Sequence, residues 1–318
     1  MILMSPKVSI VMNCHNGERY LRQAIESIYS QTFKDWQIVF FDNASTDNSA
    51  KIAKSFDANI KYIHHSKLIP LGEARKIALE HSDGEWIAFL DTDDVWYPHK
   101  LSFQLEALEE SDYIVGYGGV QLISSSGKKL SCAKPVNTSG NILEGLLNQF
   151  DINMVTPIIR KSVLSKLGIN FDPIITASEE YNLFIRLAAN GKFLTQDEVL
   201  GQYRIYENSL TDKQIALWAF ERRYTLSQLE IENPGIKSKY PKAFVEAEAR
   251  AAYYEAQYLM SLGKRDDCIK TLYKLIDINI TYRVLYYLSY FPSIWRIIHR
   301  RKTRMIIINI ARRMGLVQ

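Results

Sequence analysis

Cysteine is scarce in this chain, and what there is does not pair. Cys14, Cys132 and Cys268 are odd in number, far apart and never in a Cys-x-x-Cys arrangement. That excludes a disulfide framework and a cysteine zinc site, and it fits a reducing cytosol. Long apolar runs are also missing. The uncharged stretch from Val284 to Trp295 holds 12 residues and contains Pro292, well short of the roughly 20 apolar residues a spanning helix needs. Met1 to Lys7 lack the basic start, apolar centre and small-residue cleavage site of a signal peptide, so export is not expected. No glycine-rich phosphate loop follows the first strand-like run, since Asn16-Gly17-Glu18 does not make one. Its absence disfavours a Rossmann oxidoreductase and a sugar-nucleotide nucleotidyltransferase.

Acidic residues are absent from the end of the chain. Residues 278 to 318 carry eight Lys or Arg (Arg283, Arg296, Arg300, Arg301, Lys302, Arg304, Arg312 and Arg313) and no acid, leaving 31 basic against 35 acidic residues elsewhere. Apolar and aromatic residues interleave with that charge. Two readings follow: a basic amphipathic tail lying on an anionic membrane surface, or a helix pair packed on its own domain with a solvated basic face. Nucleic acid is not an expected partner, because the rest of the chain is mildly acidic and no nucleic-acid motif is present.

What the chain does have is a repeating order near its start. Val8 to Met12, Gln37 to Phe41, Ile60 to His64 and Trp86 to Leu90 are short apolar runs of strand character. Helical patterns separate them. Leu21, Ala24, Ile25, Ile28 and Tyr29 mark one buried helix face, and Asn48 to Phe56, Glu73 to Glu80 and His99 to Leu108 are further helical candidates. Alternation at this spacing predicts an α/β fold with parallel strands joined by right-handed crossovers. Ligands of such sheets sit beyond the carboxyl ends of the strands. The polar clusters fall there: Asn13 to Asn16, Asp42 to Asp47 and Asp91 to Asp94. Residues 113 to 205 are irregular until a helical stretch at Glu179 to Asn190, and residues 212 to 276 read as nearly continuous helix. Ala243 to Leu275 looks like one tetratricopeptide-like hairpin, where a solenoid needs about three repeats.

The acids after the fourth run can offer two hard oxygen ligands in a turn. Mg²⁺ or Mn²⁺ is typically held by one or two carboxylates, with substrate phosphates filling other positions. A solvated acidic turn is the bland alternative, and the strand end just before Asp91 argues against it. Trp96, directly after this motif, is the aromatic residue most suited to meet a sugar. His64, His65, His81 and His99 have no metal-ligand spacing and read as ordinary loop and helix residues.

Four segments together carry a family likeness: Val8-Ser-Ile-Val-Met-Asn-Cys-His-Asn-Gly-Glu-Arg-Tyr-Leu, Gln31-Thr-Phe, Phe41-Asp-Asn-Ala-Ser-Thr-Asp, and Gly84-Glu-Trp-Ile-Ala-Phe-Leu-Asp-Thr-Asp-Asp. From about Lys7 to Thr211 the chain resembles the inverting glycosyltransferases of family 2. The resemblance implies the GT-A fold of nucleotide-diphospho-sugar transferases, a mixed, mostly parallel sheet flanked by helices, here followed by a C-terminal α-helical subdomain. The expected division is a catalytic domain at 1–211 (nucleotide-binding half 1–112, acceptor half 113–211), a helical subdomain at 212–276 and the basic tail at 277–318.

The resemblance also implies roles. Asn13 and His15 would meet the nucleobase, and Asp42 the base or ribose. Arg75 would lie near the nucleotide, and Arg204 near the diphosphate or a lid. Asp91, Thr92 and Asp93 would hold the donor, with Asp91, Asp93 and adjacent Asp94 as ligands of Mn²⁺ or Mg²⁺. The segment Ser178-Glu-Glu-Tyr-Asn-Leu-Phe-Ile-Arg resembles the family's helix start that supplies the catalytic base. Glu180 stands at the base position, Glu179 is the neighbouring alternative, and Asn182 replaces a second acid. The function implied is transfer from a nucleotide sugar, with UDP favoured, to an acceptor hydroxyl on a lipid-linked or surface glycan. That work would be done in the cytoplasm, at the inner face of a membrane. A catalytically silent scaffold is the alternative.

Overall fold

The four apolar runs become four parallel strands. A computed structural model describes residues 5–57, 59–206 and 215–299. In it β1 (Val8–Cys14), β2 (Trp36–Asn43), β3 (Ile60–His65) and β4 (Trp86–Phe89) lie side by side in the order β3-β2-β1-β4. Ile10, Val11 and Met12 are buried in succession, as are Ile38, Val39, Phe40 and Phe41. Such unbroken burial means that both faces of the sheet are covered, the mark of parallel strands with crossover helices. Those helices are α1 (Glu18–Tyr29), α2 (Ser49–Ala53) and α3 (Leu71–Glu80). α1 buries Leu21, Ala24, Ile25 and Ile28, the stripe its spacing predicts.

Beyond β4 come β5 (Val95–Trp96), α4 (Lys100–Leu108), β6 (Tyr113–Ser124), β7 (Lys129–Ala133), α5 (Leu143–Asn148), β8 (Ile158–Arg160), α6 (Lys161–Leu167), α7 (Glu179–Ala188) and β9 (Lys192–Ile205). They extend the sheet as β4-β8-β6-β9-β5, with β7 on β6. β8 is antiparallel to both β4 and β6, whereas β6 and β9 are parallel. The register pairs Cys14 with Asp42 and Val11 with Phe89. The loops after β1, β2 and β4 therefore open at one edge of the sheet.

The chain forms two compact units, Met1–Ser209 and Leu210–Gln318. In the second, the described residues are helical: Ile215–Glu232, Ile236–Lys239, Pro241–Ser261, Arg265–Tyr273, Ile280–Ser289 and Pro292–His299. Gly263, at φ 76°, closes the hairpin between the third and fourth of these, a backbone state that favours glycine. The core of this unit joins Ala249, Tyr253, Ala256, Cys268, Leu272 and Leu275 to Tyr282 and Trp295. Residues 280–299 of the basic tail thus pack as part of this unit; residues 300–318 lie outside the described residues.

Candidate active site

The loop after β1 is built for close approach. Asn16 has φ 54° and Ala44, in the loop after β2, has φ 56°. Left-handed backbone costs an L-residue roughly 1–2 kcal/mol, and such strain gathers where a loop must hold one shape for function. A Cβ on Gly17 would stand 2.8 Å from Thr92 Oγ1, so glycine is what lets the first loop touch the acidic turn. Asn13 keeps both amide atoms shut from solvent with no hydrogen-bond partner among the described residues. A buried polar group in that state costs about 1–3 kcal/mol, and a donor-acceptor pair on a bound base would satisfy it. His15 is exposed, its ring anchored by Nδ1 at 2.8 Å from the Asn43 carbonyl.

The Asp42 carboxylate is buried and accepts hydrogen bonds from the Tyr62 hydroxyl and, at 2.9 Å, from the Ser45 N–H. Burial opposes its charge, but those two bonds outweigh burial and hold the carboxyl below its usual range. Asp42 fastens the second loop to β3.

Three distant segments meet at Arg75. Its guanidinium, buried on α3, donates at 2.6 Å to Glu179 Oε1 and at 2.8 Å to Asp91 Oδ1. The acidic turn is thereby joined to the first turn of α7. Gly72 makes the approach possible, since a Cβ there would lie 2.5 Å from the Ile175 carbonyl oxygen in the segment leading to α7. Glu179 is committed to this bridge. Glu180, the next residue, takes no part in the Arg75 bridge. Burial and the charge of Glu179 push its carboxyl up to about 7, against the pull of Arg75. A carboxylate that gains and loses its proton near neutrality suits general-base work.

The other acids of the turn divide sharply. Asp93 accepts a hydrogen bond of 2.8 Å from the Tyr206 hydroxyl, and its carboxyl is raised by burial and by the Asp91 charge. Asp94 is buried; one oxygen accepts the Arg204 N–H at 2.8 Å, and the other has no partner among the described residues. Arg204 packs against the same turn. It is buried, stacks 4.2 Å from the Tyr20 ring, and donates to the carbonyls of Asp93 (2.7 Å), Ser124 and Ser125 and to Gln23 Oε1. Arg204 thus clamps the acidic turn by its backbone. Trp96 is likewise a core residue, its Nε1 donating to the Val155 carbonyl at 2.7 Å. Sequence reading missed Tyr206. The available signal was its two-residue spacing from Arg204, which puts both on one side of an extended chain.

Residues 9–168, half of the chain, match the pattern described as Glycosyl transferase family 2. This chain belongs to that family. Among curated relatives, it is 24% identical over 230 residues to the UDP-Glc:alpha-D-GlcNAc-diphosphoundecaprenol beta-1,3-glucosyltransferase WfgD of Escherichia coli, covering 71% of this chain and 87% of WfgD. Other relatives are longer: an uncharacterised glycosyltransferase of Rickettsia felis, 30% identical over 207 residues and 64% of this chain, is matched over 34% of its length. Among solved structures, S. aureus TarS 1-349 in complex with UDP-GlcNAc superposes with TM-score 0.66 at 18% identity, covering 97% of this chain and 92% of that one. The Pyrobaculum calidifontis mannosyltransferase PcManGT in complex with GDP-Man and Mn²⁺ gives 0.51 at 13% identity, over 93% and 87%. At such identities these structures speak for the GT-A fold.

The family 2 site can be tested for a metal on its own atoms. Burial, and after it the Asp91 charge, raises the Asp93 carboxyl, and a divalent cation bound there would offset that second cause. Among the described residues no three His, Cys, Asp or Glu converge on one point. Asp91 and Asp93 would supply two carboxylates, and such a cation takes its other ligands from substrate phosphates and water.

Proposed function

We propose that this family 2 transferase moves a sugar from a UDP-sugar to an acceptor hydroxyl by one-step inversion, with Mn²⁺ or Mg²⁺ held by Asp91 and Asp93. The observation that carries the proposal is the Arg75 bridge. It ties the acidic turn that would hold the donor to the helix start that bears Glu180, with a carboxyl pushed up to about 7. Glu180 takes the proton of the attacking hydroxyl, and its raised affinity for that proton drives the transfer. Glu179 does not serve as the base, because Arg75 holds it. Asn13 and His15 face the base, and Thr92 steadies the turn against Gly17. Asp91 and Asp93 would hold the metal, which would supply positive charge for the departing diphosphate.

The acceptor class follows from likeness. WfgD, by its name, acts on a sugar linked through diphosphate to undecaprenol. We assign an acceptor of that kind, a glycan carried on a lipid at the cytoplasmic face of a membrane. The test is incubation with UDP-sugars and Mn²⁺ or Mg²⁺, reading UDP binding by calorimetry and donor hydrolysis by released UDP. Metal-dependent binding is expected, and Asp93→Ala abolishes it. Failure of the wild-type protein to bind any nucleotide with metal present would overturn the enzyme reading in favour of a silent scaffold.

A further inference from the structure

The last two described helices turn apolar side chains outward as well as inward. Helix Ile280–Ser289 turns Tyr282 into the core of its unit, with Leu285, Tyr286 and Leu288 packed partly against that core. Its other side repeats Ile280, Val284 and Tyr287 and runs on to Phe291. Helix Pro292–His299 buries Trp295 and leaves Ile294 and Ile297 outside. All six outer side chains are between 44% and 68% exposed. A row of apolar side chains turned outward marks a face that something covers.

Charge selects the cover. From residue 278 onward the chain has eight Lys or Arg and no acid; among the described residues Arg296 is exposed, as is Arg283, which lies 3.7 Å from Asp277. A second copy of the same face would set like charges together, which disfavours self-association. An anionic phospholipid surface attracts and neutralises such basic residues. Tyr287, Tyr290 and Phe291 are the side-chain types that settle at the boundary between water and hydrocarbon. Among the described residues no helix is long and apolar enough to cross a membrane, so the contact is along the surface.

We propose that the stripe Ile280, Val284, Tyr287, Phe291, Ile294 and Ile297 is a docking face for an anionic bilayer. The proposal rests on the reading of a lipid-carried acceptor and makes it specific to one face of one helix pair. Full-length protein is expected to sediment with vesicles containing roughly one-third phosphatidylglycerol, and not with pure phosphatidylcholine, and to be released by high salt. The combined variant Val284→Asp, Tyr287→Asp, Ile294→Asp, whose sites are all exposed, should lose at least about tenfold in vesicle affinity while keeping its helical content and UDP binding. Arg283→Gln with Arg296→Gln should weaken binding less and flatten its salt dependence. Equal vesicle binding by the aspartate variant would overturn the proposal, as would a wild-type protein that ignores anionic vesicles. A wild-type dimer in light scattering that the aspartates turn into monomer would overturn it in favour of a second copy as the cover. UDP binding in the same samples reports separately on the transferase reading.

Discussion

At the scale of single residues, the Arg75 guanidinium sets Glu179 apart from Glu180. Glu179 and Glu180 are adjacent acids at a helix start, and the sequence left both open as the base. The structure separates them by one contact, since Arg75 is 104 residues from Glu179 in sequence and 2.6 Å from it in space. A pH profile tests the outcome. Below about 7 the Glu180 carboxyl holds its proton and cannot accept another, so kcat/KM should fall about tenfold per pH unit there and level off above. Glu180→Gln should remove about 100-fold or more of kcat/KM with UDP binding kept, and unchanged transfer would sink the assignment. The same group affects stability with the opposite sign. Its carboxyl is raised on folding, so its contribution is fully present below about 4.5 and is lost as pH rises through about 7. Lys100 shows a second case that composition hides. It is wholly buried, 3.9 Å above the Trp96 ring, with no hydrogen-bond partner among the described residues, and burial drives its pKa well below 10.5. The unfolded chain then takes up a proton that the folded protein refuses, a cost absent above about 10.5 that grows as pH falls. Lys100→Met should raise stability by about 1–2 kcal/mol at neutral pH in urea unfolding; a loss would show that the amine has a partner.

At the scale of elements, strand and helix order was legible because period and burial agree. The four predicted runs match β1 to β4 to within two residues at either end, as local sequence sets where an unbroken apolar stretch starts and stops. What each element touches was not legible. Gly72 fell just outside the helix read at Glu73 to Glu80, yet it lies within α3, where that helix meets the approach to α7. Gly72→Ala should therefore push α3 from the Ile175 carbonyl, cost about 1–3 kcal/mol and loosen the Arg75 bridge. The check is a lower unfolding midpoint together with lower kcat, and a change in stability alone would argue that the bridge adjusts. Arg204, near the end of β9, and Asp94, in the turn after β4, carry the same lesson: the Arg204 side chain donates to the Asp93 carbonyl while its backbone N–H donates to the Asp94 carboxylate.

At the scale of the whole molecule, the basic tail was left with two readings, and Tyr282 and Trp295 belong to the core of the second unit, as a packed helix pair would have them. Removing residues 278–318 should therefore destabilise that unit by about 3 kcal/mol or more through loss of two large buried aromatics. Two-step denaturation would show the loss in one transition only, and an unchanged transition would mean that these rings pack without contributing. Taken by itself, the sequence determined the alternation of strand and helix, the strand ends where Asp91 and Asp93 sit, and the family likeness, because these depend on neighbours and on the order of motifs along the chain. Only the tertiary structure decided which glutamate Arg75 holds and which aspartate oxygens are buried. Those outcomes depend on burial and on pairs far apart in sequence, which local pattern does not encode.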